Sequence, residues 1–225
     1  MKKFITTAPR QNVYYKSENG KYVRDENGLP LRIDTPYTPE NCAYLVYDHP
    51  CCYPIIPVIN AYAQDGEEIE VIVLTAAEKT MCEENYQHLC DDLEEVRAEK
   101  DLKIKMTRFE ISLDETIETH LSTFERLISM FCEDDILYCD ITYGSKPYMY
   151  MQLLALNYAH QSMNNVYVEC VAYGGYDFET KQRKIYDCTK LFLMDQIIGR
   201  LSHGSFGNPL EVIKGVLHFN EDEEV

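Results

Sequence analysis

Residues 136–175 read ILYCDITYGSKPYMYMQLLALNYAHQSMNNVYVECVAYGG, and this stretch decides the fold class. Its first part, residues 136–142, is a short apolar run rich in residues that favour β-strands. Residues 148–160 carry apolar side chains at helical spacing, and residues 166–173 form a second apolar run, closed by the glycines 174–175. A strand, a tight loop, a helix and another strand predict a βαβ unit.

The loop between this strand and helix, residues 143–147 (YGSKP), is a candidate anion site. In a βαβ unit a ligand lies beyond the carboxyl end of the first strand, beside the loop that starts the helix. The loop offers backbone N–H groups near a helix N-terminus, hydroxyl groups and the ammonium group of Lys146, which are all hydrogen-bond donors. Plainer interpretations stay open: Asp140 and Thr142 only cap the helix and tie the turn, and Lys146 is a solvated surface charge.

The N-terminal segment predicts a second contribution to the same edge of the sheet. Residues 2–7 are expected to form the first buried strand, and residues 7–12 the loop that follows it. Because parallel strands end at one edge, this loop lies beside the candidate anion site and makes Arg10 a second candidate contact. An ordinary surface arginine is the alternative. Residues 13–33 predict a β-hairpin insertion with a turn at residues 17–21.

The rest of the chain alternates helices with strands. The expected elements are, in chain order, a helix over 55–63 with a proline in its first turn, a strand over 69–75, a helix over 78–100, a strand over 102–106, a helix over 116–132, and a short late strand before a helix over 189–203. This order predicts an α/β fold, a Rossmann-like, mostly parallel sheet with helices on both faces and the β-hairpin inserted after the first strand. We expect one domain over residues 1–203 and a C-terminal extension with an acidic tail over residues 204–225.

Composition limits the classes of function. A formal net charge of −17 opposes non-specific binding of nucleic acid, because a polyanion is repelled. No apolar run approaches the roughly 20 residues of a membrane helix, and the chain enters its first strand without the apolar region of a signal peptide. We therefore expect a cytoplasmic protein that does not bind membranes. The nine cysteines form no Cys-x-x-Cys pair and lack matching histidines, which argues against a metal site.

Common fingerprints of enzymes are absent from the sequence. It contains no Gly-x-Gly-x-x-Gly after the first strand, no Gly-Lys-Ser/Thr phosphate loop, no Gly-x-Ser-x-Gly and no His-Glu-x-x-His. We expect no dinucleotide, metal or other cofactor. The six histidines are dispersed; His88 and His120 fall on predicted helices, where a solvated or structural role is expected over catalysis.

The segment Asp140-Ile141-Thr142-Tyr143-Gly144 resembles the Asp-x-Thr-His-Gly signature of one subgroup of the CARF domains of type III CRISPR systems. The chain departs from the signature at Tyr143, where the family has histidine, and at residues 145–146, where the family commonly has Phe-Arg. Two further segments agree with the resemblance. Residues 4–8 (FITTA) resemble the first strand of the family, and residues 184–192 (KIYDCTKLF) resemble its late strand and Asp-x-Thr helix start.

The resemblance implies a homodimer that binds a cyclic oligoadenylate across its two-fold axis, with four adenylates favoured over six. Carried onto this sequence, it implies ligand contacts from the ends of the first and fourth predicted core strands and the loops after them: Thr6, Thr7, Ala8, Arg10, Asp140, Thr142, Tyr143, Gly144, Ser145 and Lys146. The nuclease domain often joined to CARF domains carries Arg followed five positions later by His, and no such pair occurs here. The expectation is a CARF domain that stands alone.

Three functions stay open at this point. The first is a ring nuclease that opens the cyclic messenger without a metal, with Lys146 and Ser145 as the catalytic residues. The second is a non-catalytic module that senses or sequesters the messenger and acts on a separate effector protein. The third is an unrelated Rossmann-like nucleotide-binding protein without the usual fingerprint.

Overall fold

The computed structural model describes residues 1–76, 80–177, 179–180, 182–202, 212–213 and 215. The chain divides into two compact units, Met1–Asp187 and Cys188–Val225. The predicted extension over residues 204–225 and the start of the helix predicted at 78 lie largely outside the described residues.

The first unit contains four helices and nine strands among its described residues. The strands are β1 Lys2–Thr7, β2 Ser17–Glu18, β3 Lys21–Tyr22, β4 Thr38–Pro39, β5 Glu68–Ala76, β6 Lys103–Ile111, β7 Ile136–Asp140, β8 Tyr167–Asp177 and β9 Gln182–Asp187. The helices are α1 Ile55–Tyr62, α2 Thr80–Lys100, α3 Ile117–Ile128 and α4 Lys146–Ser162. The second unit contributes α5, Thr189–Ser202.

Seven strands form one sheet in the order β4-β9-β8-β7-β1-β5-β6. All neighbouring pairs are parallel except β8 and β9, which are antiparallel. The predicted Rossmann-like α/β fold with a mostly parallel sheet is therefore confirmed. The predicted βαβ unit is β7-α4-β8, and the predicted alternation of strands and helices is found along the whole unit.

The helices cover both faces of this sheet. Phe4 of β1 stacks on Tyr138 of β7, and Tyr138 in turn contacts Tyr62 of α1. Thr7, an odd number of residues from Phe4 and so on the other face, accepts a hydrogen bond from Gln152 of α4. Because α1 packs on α2, and α3 on α4, the two helix pairs enclose the sheet. The strand residues between them, such as Ile5 and Ile72, are almost completely buried.

The insertion after β1 is confirmed, but its turn is shorter than predicted. Residues 17–18 and 21–22 pair as strands, and only Asn19 and Gly20 form the turn. Both have positive φ, 51° and 75°, which matches the right-handed twist of a two-residue hairpin.

The prediction that Gly174 and Gly175 end the second strand of the βαβ unit is wrong, because β8 continues to Asp177 and pairs there with β9. A Cβ atom on Gly174 would lie 2.4 Å from Cγ of Pro54. The glycine allows close packing inside a strand and does not mark a turn. β6 also runs to Ile111, five residues beyond its predicted end.

Candidate functional site

The candidate site lies where the strand order reverses. The chain passes from β1 to β5 and β6 on one side and later returns to β7 on the other, so that β1 is flanked by β5 and β7. The loops after β1 and β7 meet at the carboxyl edge of the sheet, which is the usual ligand position in such folds. A cleft of about 520 Å³ lies at this edge. Its lining comes from residues 7–11, 142–145, Ala76, Ile111, Leu113, Glu115 and Tyr148.

Asp140 and Thr6 lie beneath the cleft and do not line it. Both are completely buried. One Asp140 carboxylate oxygen accepts a hydrogen bond from the Thr6 hydroxyl at 2.8 Å, and the other accepts the Thr142 N–H at 2.9 Å. Burial raises the pKa of Asp140 to about 6, and the hydrogen bonds from Thr142 and Thr6 limit the rise. These two residues fix the loop, as the plainer interpretation of Asp140 expects.

The loop after β7 is shaped by three of its residues. Thr142 accepts the Gly174 N–H with its hydroxyl oxygen at 2.7 Å, which ties the loop to β8. Gly144 has a φ of 121°, a conformation that side chains disfavour. Ser145 is the N-cap of α4, yet its side chain makes no capping hydrogen bond, and its Oγ is buried without a partner among the described residues.

The two predicted cations take different positions. Arg10 lines the cleft and is exposed. Lys146 is the first residue of α4 and is also exposed, but it is not part of the lining. The cleft therefore brings together Arg10, the N-terminus of α4 and the Ser145 hydroxyl, all of which are donors suited to a phosphate. Thr7 and Ala8 form the wall beside Arg10.

Tyr143 reaches from the cleft into the interior. Its hydroxyl donates to the Cys52 carbonyl at 2.8 Å, and burial raises its pKa to about 12. The same carbonyl accepts a hydrogen bond at 3.0 Å from Arg183 of β9, a buried guanidinium that also donates to the Cys51 carbonyl and the Tyr37 hydroxyl. Tyr143 is thus a structural anchor.

One wall of the cleft is missing from the sequence prediction. Ile111, Leu113 and Glu115 come from the end of β6 and the loop before α3. The sequence predicts that β6 ends at residue 106. A strand of that length would leave the loop before α3 away from the carboxyl edge of the sheet. Only the alternation of polar and apolar residues, which continues through residues 107–111, indicates the longer strand in the sequence. Beside this wall, Tyr148 of α4 donates to the Ser112 carbonyl.

No protein-family model matches the chain, and a search of curated proteins finds no significant relative. The described residues hold no cluster of three or more His, Cys, Asp or Glu side chains that could bind a metal ion. None of the described helices combines the length and hydropathy needed to cross a bilayer. One side of the cleft presents donors, and the wall formed by Ile111 and Leu113 is apolar with a single carboxylate among its described residues, Glu115.

Proposed function

We propose that this chain binds a cyclic oligoadenylate of type III CRISPR antiviral signalling, with four adenylates favoured, and opens the ring without a metal. The observation that carries the proposal is the convergence of Arg10, the α4 N-terminus and the unpartnered Ser145 Oγ on one cleft at the switch point of the sheet. The resemblance of residues 140–144 to the CARF signature supports the choice of ligand. The messenger is made in the cytoplasm, so the proposal includes that location.

The cleft offers a place for both parts of a nucleotide. We place the phosphate on the donor side, which is lined by Arg10, Ser145 and the loop that starts α4. An adenine fits the opposite wall, where Ile111 and Leu113 are apolar and the Tyr148 ring lies beside them. The net charge of −17 is compatible with an anionic ligand because Arg10 forms no ion pair with any described carboxylate.

Ring opening uses the groups that bind the phosphate. The 2′-hydroxyl of one ribose attacks the adjacent phosphorus when it is held in line with the departing 5′-oxygen. Arg10 and the N–H groups at the start of α4 stabilise the extra negative charge of the transition state. The products carry a 2′,3′-cyclic phosphate and a 5′-hydroxyl, and the reaction is expected to be slow and insensitive to chelators.

A homodimer completes the site in this proposal, because a cyclic oligonucleotide extends beyond one cleft. The outer surfaces of α3 and α4 lie side by side and expose apolar side chains: Ile117, Leu121, Tyr150, Leu154 and Tyr158. We name these five residues the α3/α4 surface. Both helices begin at the cleft, so a second copy bound to this surface brings two clefts together.

Calorimetry with cyclic tetra-adenylate and cyclic hexa-adenylate tests the binding part. Arg10→Ala should weaken binding by about 1.5–3 kcal/mol, as expected for the loss of a charge-assisted hydrogen bond. Lys146→Ala should weaken it less, because its side chain lies outside the lining, and Arg97→Ala on the exposed side of α2 is the matched control. Absence of heat with either ligand and the wild-type protein would remove the proposal.

A non-catalytic sensor is the second candidate, favoured by the same contacts, because binding and cleavage use one set of donors. Incubation of the messenger with excess protein and chelator, followed by mass spectrometry, separates the two. An intact ring after many hours, together with measurable binding, would assign the chain to sensing or sequestering, with a separate protein as the effector.

A further inference from the structure

A carboxylate and an imidazole meet at the apolar wall of the cleft. Glu115 lines the cleft, and Oε2 of its half-exposed side chain lies 3.3 Å from Nε2 of His120, on the first turns of α3. The loop that carries Glu115 is fixed on both sides. Asp114 accepts hydrogen bonds from the Thr116 N–H and from the hydroxyls of Thr116 and Thr119.

His120 is held by packing and leaves one nitrogen unused. Its side chain is 18% exposed, and its ring meets the Tyr148 ring edge-on at 5.3 Å between centroids. Nδ1 is buried and has no hydrogen-bond partner among the described residues. A buried polar atom without a partner lowers stability. The arrangement is therefore not explained by stability, and it holds an imidazole directly behind a carboxylate in the cleft.

We propose that Glu115 is the general base of ring opening and that His120 positions it. The inference rests on the ring-opening function proposed above and assigns its missing proton acceptor. A carboxylate in an otherwise donor-rich cleft weakens the binding of an anion, so its presence is explained by a role in the reaction. Glu115 lines the same cleft as Arg10 and Ser145, the residues proposed to hold the phosphate.

The reaction balances without another reagent. The 2′-oxygen forms a bond to phosphorus while its proton passes to the Glu115 carboxylate. The bond between phosphorus and the 5′-oxygen breaks, and that oxygen keeps the electron pair and takes a proton from water. Glu115 then returns its proton to water, so that the enzyme is restored.

The charged and titratable groups around the pair come from three elements. Arg10 belongs to the loop after β1, Asp114 to the same loop as Glu115, and Tyr148 to α4. Burial raises the pKa of the Tyr148 hydroxyl; the charges of Glu115 and Asp114 also raise it, and the charge of Arg10 lowers it. Among the described lining residues of the cleft, Arg10 is the one cation and Glu115 the one carboxylate.

The test is a single-turnover measurement with wild-type protein in excess over cyclic tetra-adenylate, in chelator. Glu115→Gln should cut the rate about 10²–10⁴-fold, while calorimetric affinity stays equal or improves. Glu118→Gln, an exposed glutamate on the first turn of α3, should behave as wild type.

Two further variants isolate the role of His120. His120→Leu should slow the reaction about tenfold with ligand affinity unchanged, and His120→Gln, which keeps a donor near the carboxylate, should restore most of the rate. A Glu115→Gln protein as fast as wild type would overturn the inference and leave ring opening standing. Loss of ligand affinity in Glu115→Gln would make Glu115 a binding residue and also overturn it. A wild-type protein that binds but leaves the ring intact would overturn ring opening and this inference together.

Discussion

Among the described residues of the first unit, two buried carboxyl groups have a raised pKa and resist ionisation. Burial raises the pKa of both Asp92 and Asp140 to about 6. Asp92 accepts the Cys52 N–H and a hydrogen bond from Arg32, which fastens the insertion to α2. Asp140 fastens the loop after β7 to β1. At the scale of single residues, the site is thus built on buried polar contacts.

The buried Asp140 makes stability depend on pH. Its folded pKa lies above the unfolded value of about 3.9, so the folded state binds the proton more tightly, and stability falls as pH rises from about 4 to 6. Asp140→Asn keeps the shape and removes this dependence. The difference in unfolding free energy between variant and wild type should change by about 3 kcal/mol between pH 4 and 7, measured by urea denaturation.

Asp177→Asn is the control for this prediction. Hydrogen bonds from the Thr180 and Glu179 N–H groups and from Lys184 lower the pKa of Asp177 to about 2. The contribution of Asp177 to the unfolding free energy is present above its unfolded pKa and is lost only below about pH 4. The unfolding free energy of Asp177→Asn should therefore change with pH between 5 and 7 as that of the wild type does. Parallel curves for wild type and Asp140→Asn would contradict the assignment of Asp140.

Arg183 holds the interior behind Tyr143. Arg183→Met removes the donor to the Cys51 carbonyl and the Tyr37 hydroxyl, and leaves these buried groups without that partner. We expect a loss of about 2–4 kcal/mol in unfolding free energy, since hydrogen bonds to a charged donor are lost in the interior. Lys184→Met, which removes ion pairs with Glu40 and Asp177, should have a much smaller effect. Equal effects of the two substitutions would show that the network is not stabilising.

At the scale of elements, β8 connects the edge of the sheet to the cleft. Its first part pairs with β7 and its last part with β9, and Gly174 donates its N–H to Thr142 of the cleft loop. Pro54, before α1, packs against the same glycine. A strand that contacts both the start of a helix and the loop after β7 tolerates little extra volume at this point.

Gly174→Ala should therefore destabilise the protein by about 1–3 kcal/mol, because the new methyl group overlaps Pro54. It should also weaken ligand binding through the displaced Thr142. Gly175→Ala is the matched control in the same strand, since its nearest contact is the Tyr186 ring edge at 3.3 Å. Thermal unfolding and calorimetry give both quantities. A Gly174→Ala protein as stable as Gly175→Ala would contradict the close packing.

At the scale of the whole molecule, the α3/α4 surface departs from the rest of an acidic protein. Ile117 is 73% exposed and Tyr150 is 64% exposed, although helical spacing of apolar residues usually marks a buried face. Phe124 of α3 meets Tyr158 of α4 edge-on, so the two helices present one continuous apolar area. Such areas commonly form interfaces between subunits.

Disruption of this surface should make the protein monomeric. Leu121→Glu combined with Leu154→Glu places charges in the proposed interface, and sedimentation velocity at micromolar concentration should change from dimer to monomer, with weaker binding of cyclic tetra-adenylate. Leu29→Glu is the control, because Leu29 is 63% exposed in the insertion and away from α3 and α4. A wild-type protein that stays monomeric with and without ligand would rule out the dimer.

The order of elements and the parallel sheet follow from the sequence alone. Apolar periodicity and loop residues are local features, and they predict β7, α4 and the βαβ unit that contains them. The proline in its first turn helps to predict α1 in the same way. The sequence also places Arg10, Thr7 and Ser145 at one edge, because parallel strands end together.

Only the tertiary structure decided which of these residues line the cleft. Lys146 and Arg10 are indistinguishable in sequence, but the direction of each side chain depends on the packing of α4 and of the loop after β1. The sequence predicts a solvated or structural role for His120 and leaves Glu115 unmarked, because no local pattern states how far β6 extends or where the loop after it comes to rest. The chain reaches the cleft from four separate strands, and contacts between residues so distant in sequence are set by the packing of whole elements.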